Sequence, residues 1–254
     1  MGGAFLAIVV AGIPAADAHK PSYANGHSTP SEAFEVVDPE ISIALYATMT
    51  CTEDALWMHM ETGDLDEVWL ELGVPVLDRL EAYRPSLAIV AEGYPDADVP
   101  FDLPPNMGAV VISTDDVETP IDFFEPFTQT DSWILFRDWF DVPPNSEVYL
   151  VAYNPDEYTG KLWVAVGLTE DFSDVDMSEF GEWVDKTQAF HEVGDTEEHV
   201  ELDCSAVYDA SEPVEATEAP QSTGCASVPA SGNSTLWAIL GALVGGLRRR
   251  RVRR

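Results

Sequence analysis

Between about residues 36 and 170 the chain repeats one pattern, in which short runs rich in Val, Ile, Trp, Tyr and Phe are closed by Pro, Gly, Asn or Asp. The run Ile41-Ser42-Ile43-Ala44-Leu45-Tyr46-Ala47-Thr48 alternates large apolar with small residues, and 55–61 and 67–73 carry Trp57, Met58, Trp69 and Leu70. Similar runs follow at 87–91, 109–113, 132–137, 147–153 and 161–167. β-branched and aromatic side chains suit a pleated, half-buried surface. Short strands between close turns are the pattern of a sandwich. No run is followed by an amphipathic helix, which argues against a doubly wound α/β fold. The expectation is therefore a mainly β chain forming an antiparallel, jelly-roll-like β-sandwich. Tyr158-Thr159-Gly160 predicts a hairpin connection between its last two strands.

Around that repeat the organisation is uneven. Residues 19–35 are polar and turn-rich, and predict an irregular lead-in to a sandwich domain over 36–204. The Asp- and Pro-rich connections 92–108 and 114–131 are expected at the sandwich ends. In 177–193, Phe180, Trp183, Val184 and Phe190 recur near helical spacing, with Asp174 or Ser178 available as a cap. That predicts one short helix packed on the sandwich. Residues 205–224, rich in Glu, Pro and Thr, are too polar to form a core and read as a stalk.

Charge narrows the partners. The stretch 19–224 has six basic residues against 45 acidic ones, a formal charge of −39. Such a surface repels nucleic acid and anionic lipid, so neither is expected to bind the body. It favours solubility and a saline setting that screens self-repulsion.

Both ends speak of export. Residues 4–13 are apolar over the length of a signal-peptide core, and Ala16-Asp17-Ala18 places small residues where cleavage needs them. No Lys or Arg precedes the run, a departure from the usual pattern. Residues 1–18 are thus expected to be a Sec-type signal, with His19 as the mature N-terminus. At the other end, no charge falls between Glu218 and Arg248. Residues 236–247 alone would make a helix of about 18 Å, short of the ~30 Å hydrocarbon core, whereas counting from Ala226 gives ~33 Å. The arginine cluster that follows would stay on the cytoplasmic side, leaving the body outside.

Gly224-Cys225-Ala226, a Ser/Pro/Gly stretch, the apolar segment and Arg248-Arg249-Arg250-Arg251-Val252-Arg253-Arg254 together resemble the myxobacterial-type C-terminal sorting signal, MYXO-CTERM. The resemblance covers 224–254. It implies delivery to the cell surface or outer envelope by sorting and processing machinery, with Cys225 as the processing or anchoring point and the membrane as a partner. Across 41–167, the strand spacing, a Leu-Gly turn and the final pair Tyr149-Leu150-Val151-Ala152-Tyr153 and Leu162-Trp163-Val164-Ala165-Val166-Gly167 are similar to the bacterial pre-peptidase C-terminal sandwich. That likeness implies an accessory binding or stability module and carries no active site.

Local signatures of catalysis are missing. The chain has no G-x-S-x-G, H-E-x-x-H, phosphate loop or dinucleotide fingerprint. Asp174-Val175-Asp176-Met177-Ser178 opens like an EF-hand, but Glu179 stands where Gly is needed and Asp185 where Glu is needed. An acidic helix N-terminus is the better reading. Asp96, Asp98 and Asp102, or Asp115 and Asp116 with Glu118, form acidic groups that could hold calcium in an end loop. His19, with its own α-amine and a second imidazole from His27, His59, His191 or His199, could chelate copper. Asp122-Phe123-Phe124-Glu125-Pro126-Phe127, continuing to Trp133, reads as a core-anchored loop before it reads as a ligand groove. Cys51 and Cys204 are the pair left for a disulfide in an oxidising compartment, closing a loop of about 150 residues worth up to about 5 kcal/mol. Three functions follow: a non-enzymatic surface sandwich that is structural or binds carbohydrate or protein, which the sequence favours; a copper protein using His19; and a surface hydrolase with dispersed residues.

Overall fold

The computed structural model describes residues 19–24, 26–154 and 159–194. Eleven strands and one α-helix fill that span. In chain order the strands are β1 (Lys20–Tyr23), β2 (Phe34–Val36), β3 (Ile43–Met49), β4 (Ala55–Glu61), β5 (Glu67–Pro75) and β6 (Ser86–Glu92). Then come β7 (Met107–Ile112), β8 (Ile121–Glu125), β9 (Thr130–Asp141), β10 (Glu147–Tyr153), β11 (Gly160–Val166) and the helix α1 (Met177–Phe190). One sheet has six strands in the order β1-β3-β11-β5-β9-β8, the other five in the order β2-β4-β10-β6-β7. The central pairing is nested: β3 with β11, β4 with β10, β5 with β9 and β6 with β7.

The core lies between the sheets because each strand alternates. Leu45, Ala47 and Met49 of β3, Leu70, Leu72 and Val74 of β5, and Leu162, Val164 and Val166 of β11 meet Met58 and Met60 of β4, Leu87 and Ile89 of β6, and Val148 and Leu150 of β10. All are nearly inaccessible. At ~25 cal/mol per Å² of apolar surface, each such side chain contributes roughly 1.5–3 kcal/mol.

The alternate residues face outward, and on both sheets they too are apolar. Trp57, Val90 and Val151 form a second cluster on the outside of the five-stranded sheet, against Phe101 and Leu103. Ala44, Ile134, Trp163 and Ala165 form a third on the outside of the six-stranded sheet, against Tyr46, Phe123 and Phe190. A sheet apolar on both faces needs a cover on each. The loop after β6 covers one, with Phe101 edge-on to Trp57 at 5.1 Å and to Tyr153 at 5.4 Å. Gly108 permits that crossing, since a Cβ there would strike the carbonyl oxygens of Tyr94 and Pro95. Helix α1 covers part of the other.

Several expectations are corrected. The sheets are mixed, not purely antiparallel: β1 runs parallel to β3 and β2 parallel to β4. β1 lies within residues 19–35, expected to be irregular, and β2 begins there; each is a short edge strand with too few residues to show an alternation. The last two strands are no hairpin. β10 and β11 lie in different sheets, so the chain between them changes layer. The connection 92–108 packs over a sheet face instead of an end, and 114–131 contains β8. The helix starts where an acidic N-terminus was expected, capped by Asp176 instead of Asp174 or Ser178, with Glu179 Oε2 accepting the Asp176 N–H at 3.0 Å. Asp174 instead meets Lys20 Nζ at 2.7 Å. Among the described residues, no helix is long and apolar enough to cross a membrane. The signal (1–18), stalk (205–224) and sorting segment (225–254, apolar 236–247) lie outside the described residues.

Candidate functional site

A cross-strand row on the outside of the six-stranded sheet sets up the site. Tyr23 pairs with Tyr46, Tyr46 with Trp163, Trp163 with Gly73, and Gly73 with Ile134. Gly73 has no side chain, so the Trp163 indole lies across it; a Cβ there would collide with the ring. Leaning across β5 lets Trp163 Nε1 donate to Ser132 Oγ on β9 at 3.2 Å. The register of β5 and β9 shifts between Leu72 and Gly73, a bulge that re-aims neighbouring side chains.

Helix α1 closes over this row. Phe180, Trp183, Thr187 and Phe190 fall on one helical face, and Thr187 is buried. Tyr23 donates to the Trp183 carbonyl at 3.1 Å and shares a 2.7 Å hydrogen bond with Thr187 Oγ1. Gln188 Nε2 donates to the Thr128 carbonyl at 2.9 Å. The C-terminal end is pinned by charge. Glu192 takes both guanidinium nitrogens of Arg79, at 2.9 and 2.5 Å, and Lys161 Nζ at 2.6 Å. Burial pushes the Glu192 carboxyl up, yet the two cations outweigh it and hold it below the ordinary value.

Between helix and sheet remains a cavity of about 150 Å³. Its walls are rings: Tyr46, Phe123, Phe127, Trp163, Phe172, Phe180 and Trp183. Phe127 meets Phe180 edge-on at 5.6 Å, and Phe180 meets Trp183 at 5.3 Å. Polar groups are few and mostly engaged. His191 Nδ1 donates to the Thr187 carbonyl at 2.8 Å, which leaves Nε2 to accept the Ser132 hydroxyl at 3.0 Å. Burial pushes the His191 pKa down to about 4, so the imidazole is neutral at neutral pH. Thr128 and Thr130 hydroxyls bond each other at 2.8 Å. Glu125 stands half-buried in the lining, its Oε1 accepting the Phe127 N–H at 2.9 Å. Burial, then Tyr23 and Glu125, raise the Tyr46 pKa well above its ordinary value.

His19 also borders the cavity, with Nδ1 at 2.6 Å from Ser42 Oγ and Nε2 3.8 Å from Glu71 Oε2. Glu71 is fully buried and also accepts from Arg137 at 2.9 Å and Trp69 Nε1 at 2.8 Å. Burial pushes the Glu71 carboxyl up, but His19, Arg137 and Trp69 outweigh it and hold it below the ordinary value. The described imidazoles that the sequence offered as second copper ligands each have other partners. His191 lines the same cavity but has both nitrogens engaged. His27 Nδ1 bonds the Glu32 carbonyl at 2.6 Å, and His59 sits between Glu35 at 2.6 Å and Glu147 at 3.4 Å. His199 lies outside the described residues.

The acidic groups are likewise dispersed. Asp96, Asp98, Asp102, Asp115, Asp116 and Glu118 are all exposed, and no group of three or more metal-ligating side chains occurs among the described residues. Cys51 is half-buried just after β3; Cys204 and Cys225 lie outside the described residues. The aromatic-acidic stretch divides by alternation: Phe123, Glu125 and Phe127 line the cavity, while Trp133 packs on the inter-sheet core and Phe124 faces solvent. Sequence reading missed Ser132, Trp163 and Thr187 as site residues. A signal was present in Gly73, since glycine inside a strand often marks a close approach of another group.

No protein-family model and no curated protein sequence matches this chain.

Proposed function

We propose that the protein is exported, anchored at the cell surface through its C-terminal segment, and binds a small ligand in the aromatic cavity under α1 without transforming it. The single observation that carries the binding reading is that cavity: a concave, ring-walled space with a few fixed polar groups is the usual form of a ligand site. The nested strand pairing supports a jelly-roll-like double Greek key, a rigid scaffold that holds the walls in place. Export and anchoring rest on the sequence of the two ends, and the −39 charge of the body suits a soluble module outside the cell.

A hydrolase reading draws on one observation, the Ser132–His191 hydrogen bond. It is the weaker reading. His191 is oriented by a backbone carbonyl in place of a carboxylate, and its low pKa makes it a poor base at neutral pH. His59 has the reverse lack: carboxylates against it, and no Ser or Thr hydrogen-bonded to it among the described residues. The test is a shift of Tm for the full chain across a panel of apolar, aromatic, cationic and carbohydrate compounds. A saturable shift diminished by Phe127→Ala supports the binding site. A panel without any such shift, or ester or glycoside turnover abolished by His191→Gln, overturns it.

A further inference from the structure

The lining of the cavity is selective in what it leaves on offer. Its serine and threonine hydroxyls are committed to each other or to the fold: Ser132 to His191 and Trp163, Thr128 to Thr130, and Thr187 to Tyr23. A polyol would have to displace these bonds to be recognised, and leaving one partner of a buried polar pair unsatisfied is unfavourable. The walls offer aromatic rings instead, one of which, Phe123, already has the Arg137 guanidinium 5.5 Å from its centroid. No Lys or Arg lines the cavity; of its two imidazoles, His191 is neutral and His19 faces the buried Glu71 carboxylate at 3.8 Å. The formal charge in the lining is the Glu125 carboxylate, beside Phe127, which is half-exposed. Around it the body has 45 acidic residues against six basic ones. Most of those six are occupied: Lys20 with Asp174, Arg79 and Lys161 with Glu192, Arg137 with Glu71, and Lys186 with Glu182.

Resting on the ligand-binding reading above, we infer that this cavity takes a small organic cation of the methylated-ammonium class, held by the faces of Tyr46, Phe123, Phe127, Trp163, Phe180 and Trp183 with Glu125 as counter-charge. Ring quadrupoles attract a cation, the more strongly the more fully it is desolvated. A quaternary ammonium asks for no hydrogen bond, so it suits a site whose hydroxyls are engaged. Its methyl groups bury apolar surface against the same rings. The acidic exterior raises the local concentration of any cation and so favours entry.

The test titrates the full chain with choline, with its uncharged carbon isostere 3,3-dimethyl-1-butanol, and with glucose, following tryptophan fluorescence. Salt is kept high enough to screen diffuse attraction to the acidic surface. Choline is expected to saturate and to bind at least about tenfold tighter than the isostere. Glu125→Gln should shrink that ratio to about threefold or less while the isostere's affinity holds. Phe127→Ala, at a half-exposed ring whose loss spares the fold, should weaken choline several-fold. An isostere that binds as tightly as choline, or saturation by glucose alone, overturns the cation class while leaving the ligand site standing. No saturation by choline also overturns the inference, and if the wider panel is equally silent the binding reading falls with it.

Discussion

The indole of Trp163 rests on Gly73, its cross-strand partner, and through that gap its Nε1 reaches Ser132 one strand further on. A single missing side chain thus couples three strands and sets the floor of the cavity. Gly73→Ala is expected to push the ring off its seat, break the Trp163–Ser132 bond and cost about 1–3 kcal/mol, as overpacking of a filled site does. Denaturant unfolding should show the drop in midpoint, and near-UV dichroism the altered indole environment. A variant with an unchanged midpoint and unchanged dichroism would contradict the seating.

Ser132 and His191 make the site sensitive to acid. The His191 pKa falls from 6.5 to about 4 on folding, mainly through burial. The unfolded chain therefore binds more protons between those values, and stability is lost as pH falls from about 6.5 to about 4. The full shift corresponds to about 3 kcal/mol. Glu71 and Glu192, whose folded pKa values are lowered, add losses of their own below the ordinary carboxylate range. The two effects separate by variant. His191→Gln should flatten the stability profile between pH 6.5 and 4.5 relative to wild type and leave the steeper fall at lower pH. Parallel profiles would exclude the histidine as the source.

The clamp on α1 is one carboxylate held by two cations. Glu192 is 8% exposed and takes both Arg79 and Lys161. Removing its charge leaves those cations without their partner in a partly buried place. Glu192→Gln is expected to cost about 2 kcal/mol, below the 3–5 kcal/mol of a fully buried pair because Arg79 stays 25% exposed. Local opening should follow. Hydrogen exchange across Met177–Phe190 should speed up while β4, β6 and β10 keep their protection, and ligand affinity should fall as the cavity loses its cover. Uniformly faster exchange in both sheets would mean the residue stabilises the whole fold instead of the helix.

The sequence was most legible where alternation was strong. The strands with clear apolar runs, such as 55–61 and 147–153, occur with those bounds, and the Phe180–Trp183 spacing announced a helix packed on the sandwich. Edge strands were opaque: Lys20–Tyr23 and Phe34–Val36 are short, paired on one side and parallel to their neighbours, so no alternation marks them. The false hairpin at Tyr158-Thr159-Gly160 shows a different limit. Turn residues report that the chain bends, not which sheet the next strand joins. The cavity was half visible. Phe123, Glu125 and Phe127 were noticed as a stretch, but Trp163 and Ser132 read as ordinary strand residues, because their meeting depends on Gly73 of the strand between them.

The pairing of Cys51 with Cys204 is a proposal from compartment and count. Peptide mapping of the exported protein without reductant should recover a peptide containing both residues joined by a disulfide. Cys51→Ser should then lower stability by about 2–5 kcal/mol, the usual loss of a native bridge closing a long loop. Recovery of both residues as reactive thiols would exclude the bridge.

The address is tested at Cys225. If the tail acts as the sorting signal it resembles, Cys225→Ala leaves a protein that is exported but no longer retained at the surface, because the anchoring or processing point is gone while the apolar segment remains. The outcome separates two mechanisms. A plain membrane anchor depends on the apolar segment and its arginine end, so it would hold the variant at the membrane as firmly as the wild type. A sorting signal would release it or leave its tail unprocessed. Fractionating cells and measuring the mass of the retained and released forms decides between them, and retention with unchanged processing in Cys225→Ala would overturn the sorting reading.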